Sequence, residues 1–317
     1  MDSIRRLQDL RKQNKKIPSL SLQQIKEFDE LGYLINPSPG IDLEQIQLAR
    51  KELEDLEIAK KGAGNAVGPL YLISERFYDL ATHPNIISAV QDIIGPDVLL
   101  FNASFFIKEP GLSFVGWHID STYWGIAPHD LVTVWLALSD VTEASGPMEL
   151  LKGTHLTDES EYQTEETYVA DNILTRGQNM KFDSPIDYAK DVGKAILKPG
   201  QFSIHHHRIV HASSPNNSND RRIGWTLRYV ASHCGSIYPA GDSAMYISGK
   251  EYGNLRLDVP LHLGGTMEDI TRNGKIKGSN TMFGADKEKF RKVLKERNVK
   301  NLPQHVIDSR SQVSAKL

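Results

Sequence analysis

The segment GWHID at 116–120 places an imidazole and a carboxylate two positions apart. If the segment is a β-strand, residues two apart project from the same face, so His118 and Asp120 point the same way and Ile119 points the other way. With one more histidine they would form a set of two histidines and one carboxylate. This is the usual ligand set of non-haem Fe(II) oxygenases, and it leaves coordination positions open for a chelating co-substrate and O₂. An HxD pair alone is common by chance, so the prediction depends on a third ligand.

The segment 199–216 supplies four candidates for that ligand, namely His205, His206, His207 and His211. Three consecutive histidines cannot all face inward from one strand, and a histidine-rich tract is often merely solvated. His211 is favoured because Arg222 follows it by eleven residues. An antiparallel pair of strands joined by 213–220 would bring these two side chains together.

Arg222 is a candidate clamp for a dicarboxylate, because a guanidinium binds a carboxylate with two parallel hydrogen bonds. In a strand, alternation places Arg222, Gly224, Thr226 and Arg228 on one face. Arg221 and Arg228 remain alternatives for the clamp. Arg228 could instead meet an acid group of the substrate or pair with a structural carboxylate.

The elements that must position these residues change in character along the chain. The first part, about 1–97, is predicted to be mainly helical, with Ser21 and Asp42 as helix N-caps and a further helix at 84–94. From 98 to 232 short apolar strands alternate with Gly/Pro turns, which indicates a β-sandwich or jelly roll. The polar stretch 157–194 is predicted to be an insertion that could form a lid. The part 233–317 is predicted to be loop-rich with a charged helix at 286–298, and the whole chain 1–317 to be one domain.

The composition excludes several classes of protein. A net charge of −3 and a pI of about 6.4 do not favour nucleic acid or an anionic membrane as a partner. No secretory signal and no run of about 20 apolar residues is present, so a spanning helix is not expected. The single cysteine, Cys234, fits a reducing compartment. A soluble cytoplasmic protein is expected, with a small-molecule substrate and a homodimer as a candidate assembly.

Four stretches together resemble the phytanoyl-CoA dioxygenase family of Fe(II)/2-oxoglutarate oxygenases. They are WHID at 117–120, VTVWLALSDVTEASGPMELLKGTHL at 132–156, LKPGQFSIHHHRIVHASSPNNS at 197–218 and RRIGWTLRYV at 221–230. The resemblance covers roughly 98–230, and the joint match is far more specific than any single piece. It implies a mainly β fold with α-helices, in which a double-stranded β-helix (a cupin-like jelly roll) is flanked by N-terminal helices. The sequence STYWG after the HxD pair is similar to a branch that includes chlorinating enzymes of natural-product biosynthesis.

The resemblance also implies roles for particular residues. Fe(II) would be held by His118, Asp120 and His211, and Arg222 would bind the distal carboxylate of 2-oxoglutarate. Two further residues fall on co-substrate positions of the family, namely Trp135 and Ser213, although the first could be a core residue and the second a turn residue. Chlorinating enzymes have a small residue at the position of Asp120, and chloride takes the vacated coordination site. The carboxylate in this chain therefore favours oxygen transfer over chlorination.

The predicted reaction is hydroxylation of an unactivated C–H bond of a small-molecule metabolite, with O₂ consumed and succinate and CO₂ released. Five residues near the motifs are candidate substrate contacts, namely Phe106, Trp117, Tyr123, Trp124 and Arg228. His129 and the histidines at 205–207 could also meet a polar or anionic substrate. The alternatives are a 2-oxoglutarate-dependent halogenase, a cupin dioxygenase that does not use 2-oxoglutarate, disfavoured by Arg222, and a non-catalytic cupin-like binding protein.

Overall fold

The computed structural model describes residues 20–60, 68–158, 163–166, 171–174, 178–182, 185–236 and 242–276. The charged helix predicted at 286–298 lies outside the described residues, as do parts of the insertion predicted at 157–194. Among the described residues, no helix combines the length and apolar character needed to cross a bilayer.

The N-terminal helices begin where the sequence predicts them. The Ser21 hydroxyl accepts a hydrogen bond from the Gln24 N–H, and the Gln24 side chain accepts one from the Ser21 N–H, which is a capping box. Asp42 accepts from the Glu44 N–H at 2.9 Å and so caps the next helix. The helices are α1 (Leu22–Leu31), α2 (Leu43–Lys60), α3 (Leu70–Ile73), α4 (Glu75–Ala81), α5 (Pro84–Ile94), α6 (Ser121–Trp124), α7 (Tyr188–Asp191) and α8 (Met267–Ile276).

Most strands belong to two sheets. The strands are β1 (Tyr33–Ile35), β2 (Val98–Lys108), β3 (Val115–His118), β4 (Ile126–Ala127), β5 (Leu131–Ala137), β6 (Met148–Leu151), β7 (Gln163–Glu166), β8 (Gln178–Lys181), β9 (Val192–Lys194), β10 (Phe202–His206), β11 (His211–Ser213), β12 (Arg222–Ala231), β13 (Gly235–Ser236), β14 (Ser243–Ser248) and β15 (Arg256–Asp258). The larger sheet has the order β1-β10-β5-β12-β2-β14-β15, and the smaller has the order β3-β11-β6-β9. Short pairs are formed by β13 with β4 and by β7 with β8.

Alternation along the central strands of the larger sheet separates two buried layers. On β5, Val134 and Leu136 belong to the cluster packed with the helices, whereas Trp135 and Ala137 belong to the cluster shared with the smaller sheet. The same alternation on β12 sends Trp225 toward the helices. The larger sheet is therefore covered by helices on one face and by the smaller sheet on the other.

The sheets extend beyond the predicted core at both ends. Strand β1, from the predicted helical part, pairs with β10, and β14 and β15 extend the opposite edge of the larger sheet past residue 232. Strand β9, within the predicted insertion, pairs with β6 in the smaller sheet. Strands β9 and β15 are three residues long and partly polar, which is why hydrophobic runs in the sequence did not mark them.

Two structural predictions from the sequence were wrong. Strand β3 ends at His118, and Asp120 precedes α6 with helical backbone angles (φ −76°, ψ −34°), so strand alternation does not align the two side chains. His211 and Arg222 are not on paired strands either, because β11 belongs to the smaller sheet and β12 to the larger. The residues still meet because the two sheets face each other across one cavity.

Candidate metal centre and co-substrate cavity

The two histidines of the candidate centre are brought together by strand pairing. His118 is the last residue of β3 and His211 the first of β11, and they are direct partners in the antiparallel register. Partners in such a register have neighbouring side chains on one face. Their ring centroids are 4.0 Å apart.

Asp120 reaches the histidines from the turn that follows β3. Its Oδ1 lies 3.7 Å from Nε2 of His118. One donor atom from each of His118, Asp120 and His211 lies within 4.8 Å of the others. His118 and His211 are more than nine-tenths buried, and the side chain of Asp120 is 12% exposed. The smaller sheet therefore presents a compact group of two nitrogen donors and one oxygen donor.

The hydrogen bonds of the two imidazoles determine which nitrogen is free. Nδ1 of His118 donates to the Gly116 carbonyl at 2.9 Å, and Nδ1 of His211 donates to the Ile209 carbonyl at 3.0 Å. Since a carbonyl only accepts, each neutral ring carries its proton on Nδ1 and leaves Nε2 with a lone pair. Burial, with the neighbouring His211, lowers the pKa of His118 to about 3, so this ring is neutral at neutral pH. Such orientation by a backbone carbonyl is typical of metal-ligating histidines, and the residues fit a bound divalent metal.

Arg222 lines the same cavity from the opposite sheet. Its guanidinium donates to the carbonyls of Gly146 at 2.8 Å and Phe106 at 3.4 Å, and it lies 5.4 Å from the Trp135 ring. Its Nε–H has no acceptor among the described residues. Burial lowers its pKa to about 10, so it remains charged at neutral pH. A buried guanidinium that lacks an ion-pair partner is costly in free energy, and binding a carboxylate ligand would remove that cost.

The alternative Arg221 faces away from the cavity. Its guanidinium forms ion pairs with Glu57 at 2.8 Å and with Glu109 at 2.7 Å. These contacts join the residue before β12 to α2 and to the residue after β2. The geometry therefore favours Arg222 over Arg221 as the carboxylate clamp.

The remaining candidates near the co-substrate also line the cavity. Trp135 and Ser213 both contribute to its wall. Gly224 lies beside Trp135, and a Cβ at this glycine would overlap the indole ring. The absence of a side chain at 224 therefore allows the tryptophan to lie across β12 beside Arg222.

The candidate substrate contacts divide into two groups. Phe106 and Arg228 line the cavity, whereas Trp117 and Trp124 are not among its described lining residues. Trp117 instead packs against Phe182 and Tyr188, with ring centroids 6.0 and 6.3 Å away, because it faces the other side of β3 from His118. Tyr123 falls in α6, and its side chain lies outside the described residues.

Trp124 lies behind the cavity wall, in contact with Arg228. The Arg228 guanidinium lies 5.0 Å from its ring centroid, which is cation–π distance. The ring also stacks on His207 at 6.5 Å. A substrate contact by Trp124 would therefore be indirect, through Arg228.

The three consecutive histidines have three different surroundings. His205 lines the cavity, with its ring 5.2 Å from that of His211. His206 faces the other side of β10, 6.4 Å from Phe28. Nε2 of His207 is 2.9 Å from Nδ1 of His129, outside the described cavity lining. Strand alternation along β10 accounts for the opposite faces of His205 and His206, whereas His207 lies past the end of the strand.

Some buried residues of the site were not predicted from the sequence. Lys108 is fully buried, and its Nζ donates to the Ser213 carbonyl at 2.9 Å and to the Ser214 carbonyl. Burial, assisted by the charge of Arg222, lowers its pKa to about 6. The cavity wall also includes Val115, Met148 and Ala212. Alternation on β2, where Phe106 and Lys108 are two residues apart, is the signal that could have indicated the lysine.

The fold and the candidate centre together define a class of protein. Facing sheets with two histidines and a carboxylate between them are typical of cupin-like non-haem metal enzymes. Within that class, the chain belongs to the phytanoyl-CoA dioxygenase family, whose pattern matches residues 25–224.

Individual relatives agree with this family and confirm the predicted fold class. The chain is 26% identical over 231 residues to a probable α-ketoglutarate-dependent hypophosphite dioxygenase of Stutzerimonas stutzeri, spanning 72% of this chain and 75% of the relative. The non-heme monooxygenase ThoJ superposes with a TM-score of 0.64 at 22% identity over 92% of this chain and 99% of its own. The non-heme α-ketoglutarate-dependent carbocyclase SnoK, from nogalamycin biosynthesis, gives a TM-score of 0.55 at 20% identity over 70% and 89%.

Proposed function

We propose that this chain is an Fe(II)- and 2-oxoglutarate-dependent dioxygenase that hydroxylates a small-molecule metabolite. The overall reaction converts R–H, 2-oxoglutarate and O₂ into R–OH, succinate and CO₂. One oxygen atom enters the alcohol and the other enters the new carboxylate of succinate. Four electrons reduce O₂, two from the substrate and two from 2-oxoglutarate.

The observation that carries the proposal is the group of donor atoms from His118, Asp120 and His211, all within 4.8 Å of one another. Both histidines present Nε2 while Nδ1 is held by a carbonyl. Two imidazoles and one carboxylate are the ligand set of non-haem iron oxygenases rather than of structural zinc sites, which are closed by four protein ligands.

Fe(II) and 2-oxoglutarate are the metal and co-substrate of the proposal, and the chain's residues have separate tasks toward them. His118, Asp120 and His211 would hold the iron, and Arg222 would bind the distal carboxylate of 2-oxoglutarate. Trp135 and Ser213 would form the wall beside the co-substrate. When bound, the pair supplies the activation of O₂, while the protein supplies orientation and exclusion of water.

Hydroxylation is proposed over the other outcomes of this chemistry. With iron bound, the carboxylate of Asp120 would take the coordination position that chloride needs, which argues against a halogenase. Relatives of this fold have other reactions in their names, SnoK being described as a carbocyclase. The product must therefore be identified by mass spectrometry with and without added chloride.

The test of the proposal is oxygen-dependent succinate formation from 2-oxoglutarate by the Fe(II)-loaded protein. We expect His118→Ala and His211→Ala each to lose at least about 10-fold in metal affinity, together with succinate formation. The matched control is His262→Ala, because His262 is exposed and belongs to the short 3-10 helix Leu261–Leu263 between β15 and α8. Wild-type succinate formation by His118→Ala would overturn the assignment, and so would an equal loss in the control.

The proposal also includes a cellular location and an oligomeric state. A cytoplasmic location fits the single buried cysteine, Cys234. A homodimer is the proposed assembly, and sedimentation equilibrium of the full chain would test it.

A further inference from the structure

Arg228 is a second buried cation that forms no ion pair with any described residue, although the Asp120 carboxylate in the same cavity is near enough to favour its charge. Its side chain is 7% exposed, and its Nη1 donates to the Ser104 hydroxyl at 3.1 Å. Its Nε–H has no acceptor among the described residues. Cation–π contact with Trp124 fixes the guanidinium but does not neutralise it. A buried charge of this kind ordinarily has an anionic partner.

His205 is an unsatisfied polar group beside the same space. Its side chain is 1% exposed, and neither ring nitrogen has a hydrogen-bond partner among the described residues. Its backbone is fully engaged, with Tyr33 on β1 and Thr133 on β5 as its neighbours in the sheet. A phenylalanine would satisfy this apolar packing at lower cost, because it leaves no buried nitrogen unpaired. The imidazole therefore points to a ligand.

The charges around the cavity leave room for one negative group. Among the described lining residues, the charged side chains are Arg222, Arg228 and Asp120. Two guanidiniums and one carboxylate leave a single positive charge, because histidines that serve as ligands are neutral. Fe(II) and doubly ionised 2-oxoglutarate cancel each other. A monoanionic substrate therefore matches the charge that remains.

The two arginines are suited to different anions because they lie at different ends of β12. They are six residues apart on one face of the strand, which corresponds to about 20 Å between their Cα atoms. Arg222 is beside Trp135, whereas Arg228 is beside Trp124. With the distal carboxylate of 2-oxoglutarate on Arg222, the guanidinium of Arg228 is left free for the substrate.

We propose that Arg228 and His205 form an oxyanion subsite that binds the substrate by a monoanionic carboxylate or phosphorus-oxyanion group. This proposal rests on the proposed function, since it assigns Arg222 to 2-oxoglutarate. Arg228 supplies charge and paired N–H donors, and His205 supplies one ring N–H or accepts one hydrogen bond from a protonated oxygen. The substrate class is therefore small organic or phosphorus acids, and the oxidised bond lies close to the acid group.

The experiment measures binding to the anaerobic Fe(II)·2-oxoglutarate complex through perturbation of its visible charge-transfer band. The probes are hypophosphite and methylphosphonate for phosphorus oxyanions, propionate for carboxylates, and propionamide as the neutral counterpart of propionate. We expect saturable binding of at least one anion class and none of propionamide. The comparison of the two anion classes identifies the headgroup. Equal binding of propionamide, or binding of none of the anions, overturns the proposal.

Variants of Arg228 assign the binding to the subsite. Arg228→Gln is expected to weaken anion binding at least 10-fold, and Arg228→Lys to weaken it less because the charge is kept. The matched control is Arg256→Gln on β15, where the arginine is exposed, and its affinity should equal that of the wild type. Unchanged affinity in Arg228→Gln overturns the proposal. If the charge-transfer band of the Fe(II)·2-oxoglutarate complex does not form, the proposed function fails. If the band forms but no anion perturbs it, only the oxyanion subsite fails.

A second variant, His205→Phe, tests the same subsite without changing Arg228, so its result does not depend on whether Arg228→Gln folds. We expect this variant to lose at least 5-fold in anion affinity while its melting temperature stays equal or rises, because two unpaired nitrogens are removed. The matched control is His206→Phe, whose ring faces the helices, and which should bind the anion as the wild type does. A structural role for His205 predicts the reverse, a lower melting temperature with unchanged anion affinity.

Discussion

At the scale of single residues, backbone carbonyls orient the groups of the candidate site. His118 and His211 each donate from Nδ1 to the carbonyl two residues earlier in the chain. Arg222 is anchored in the same way by the carbonyls of Gly146 and Phe106. Because carbonyls are neutral acceptors, this orientation leaves the charge of the guanidinium and the lone pairs of the rings available to ligands.

The first prediction at this scale separates Arg222 from its neighbour. Arg222→Gln should raise the KM for 2-oxoglutarate at least about 30-fold, because losing a buried charge pair costs roughly 2–5 kcal/mol. Steady-state succinate formation against 2-oxoglutarate concentration measures this. Arg221→Gln is the matched control, since its ion pairs with Glu57 and Glu109 lie outside the cavity lining. A KM that rises equally in both variants would argue that Arg222 acts on folding alone.

The identities of the residues predicted the candidate metal ligands and the arginine clamp, but not the orientation of His205. Residue types and spacing selected His118, Asp120, His211 and Arg222 because their chemistry is specific. They could not orient His205, since three consecutive histidines offer no periodicity by which to assign a face. The orientation follows from the register of β10 with β5, which is a long-range contact.

At the scale of secondary-structure elements, strand β12 organises both ends of the cavity. Its inward face carries Arg222, Thr226 and Arg228, while its other face packs Trp225 against Phe77 with ring centroids 5.1 Å apart. Gly224 interrupts the inward face, and the indole of Trp135 occupies the space of the missing side chain. One strand therefore provides both proposed anion contacts and the gap for the aromatic wall.

The element-scale prediction concerns that gap. Gly224→Ala should destabilise the fold by about 1–3 kcal/mol, because the added methyl overlaps Trp135 within a packed layer. The displaced indole should also raise the KM for 2-oxoglutarate. Urea unfolding and succinate kinetics measure the two effects.

A double variant supplies the control for the glycine substitution. Gly224→Ala combined with Trp135→Phe should recover stability relative to the sum of the single changes, because the smaller ring makes room for the methyl group. The KM for 2-oxoglutarate should not recover, since the indole is absent. Strictly additive stability effects would contradict the proposed overlap.

The elements themselves were predictable to different degrees. The bounds of α5 coincide with the helix expected at 84–94, because Pro84 begins the helix and Gly95 ends it. The HxD pair was expected on one strand, yet Asp120 lies past its end, because a short apolar run gives no signal for where pairing stops. Strand partners were also wrong for β11 and β12, since partnership depends on contacts distant in sequence.

At the scale of the whole molecule, the helices and the larger sheet share one buried cluster. It includes Ile46 and Leu53 from α2 as well as Trp225 and Tyr229 from β12. Ion pairs reinforce the contact at the surface, where Arg50 on α2 binds Asp220 at 2.9 Å. The sequence predicted one domain over 1–317, but no local pattern in it identified which helices and strands share the core. We propose from this shared core that the chain folds as one domain.

Unfolding of the full chain tests that proposal. All four tryptophans, at 117, 124, 135 and 225, lie in or beside the sheets, whereas the N-terminal helices contain most of the helical residues that the structure describes. We expect thermal unfolding followed by tryptophan fluorescence and by helical circular dichroism to give one coincident transition, because the two parts bury each other's apolar surface.

Fe(II) with 2-oxoglutarate under anaerobic conditions should raise both midpoints equally, since ligands that bind only the folded state stabilise it by mass action. The control is His211→Ala, in which the shift should shrink sharply. Two separated transitions, with only the fluorescence midpoint responding to ligand, would instead make the helical part a separate domain.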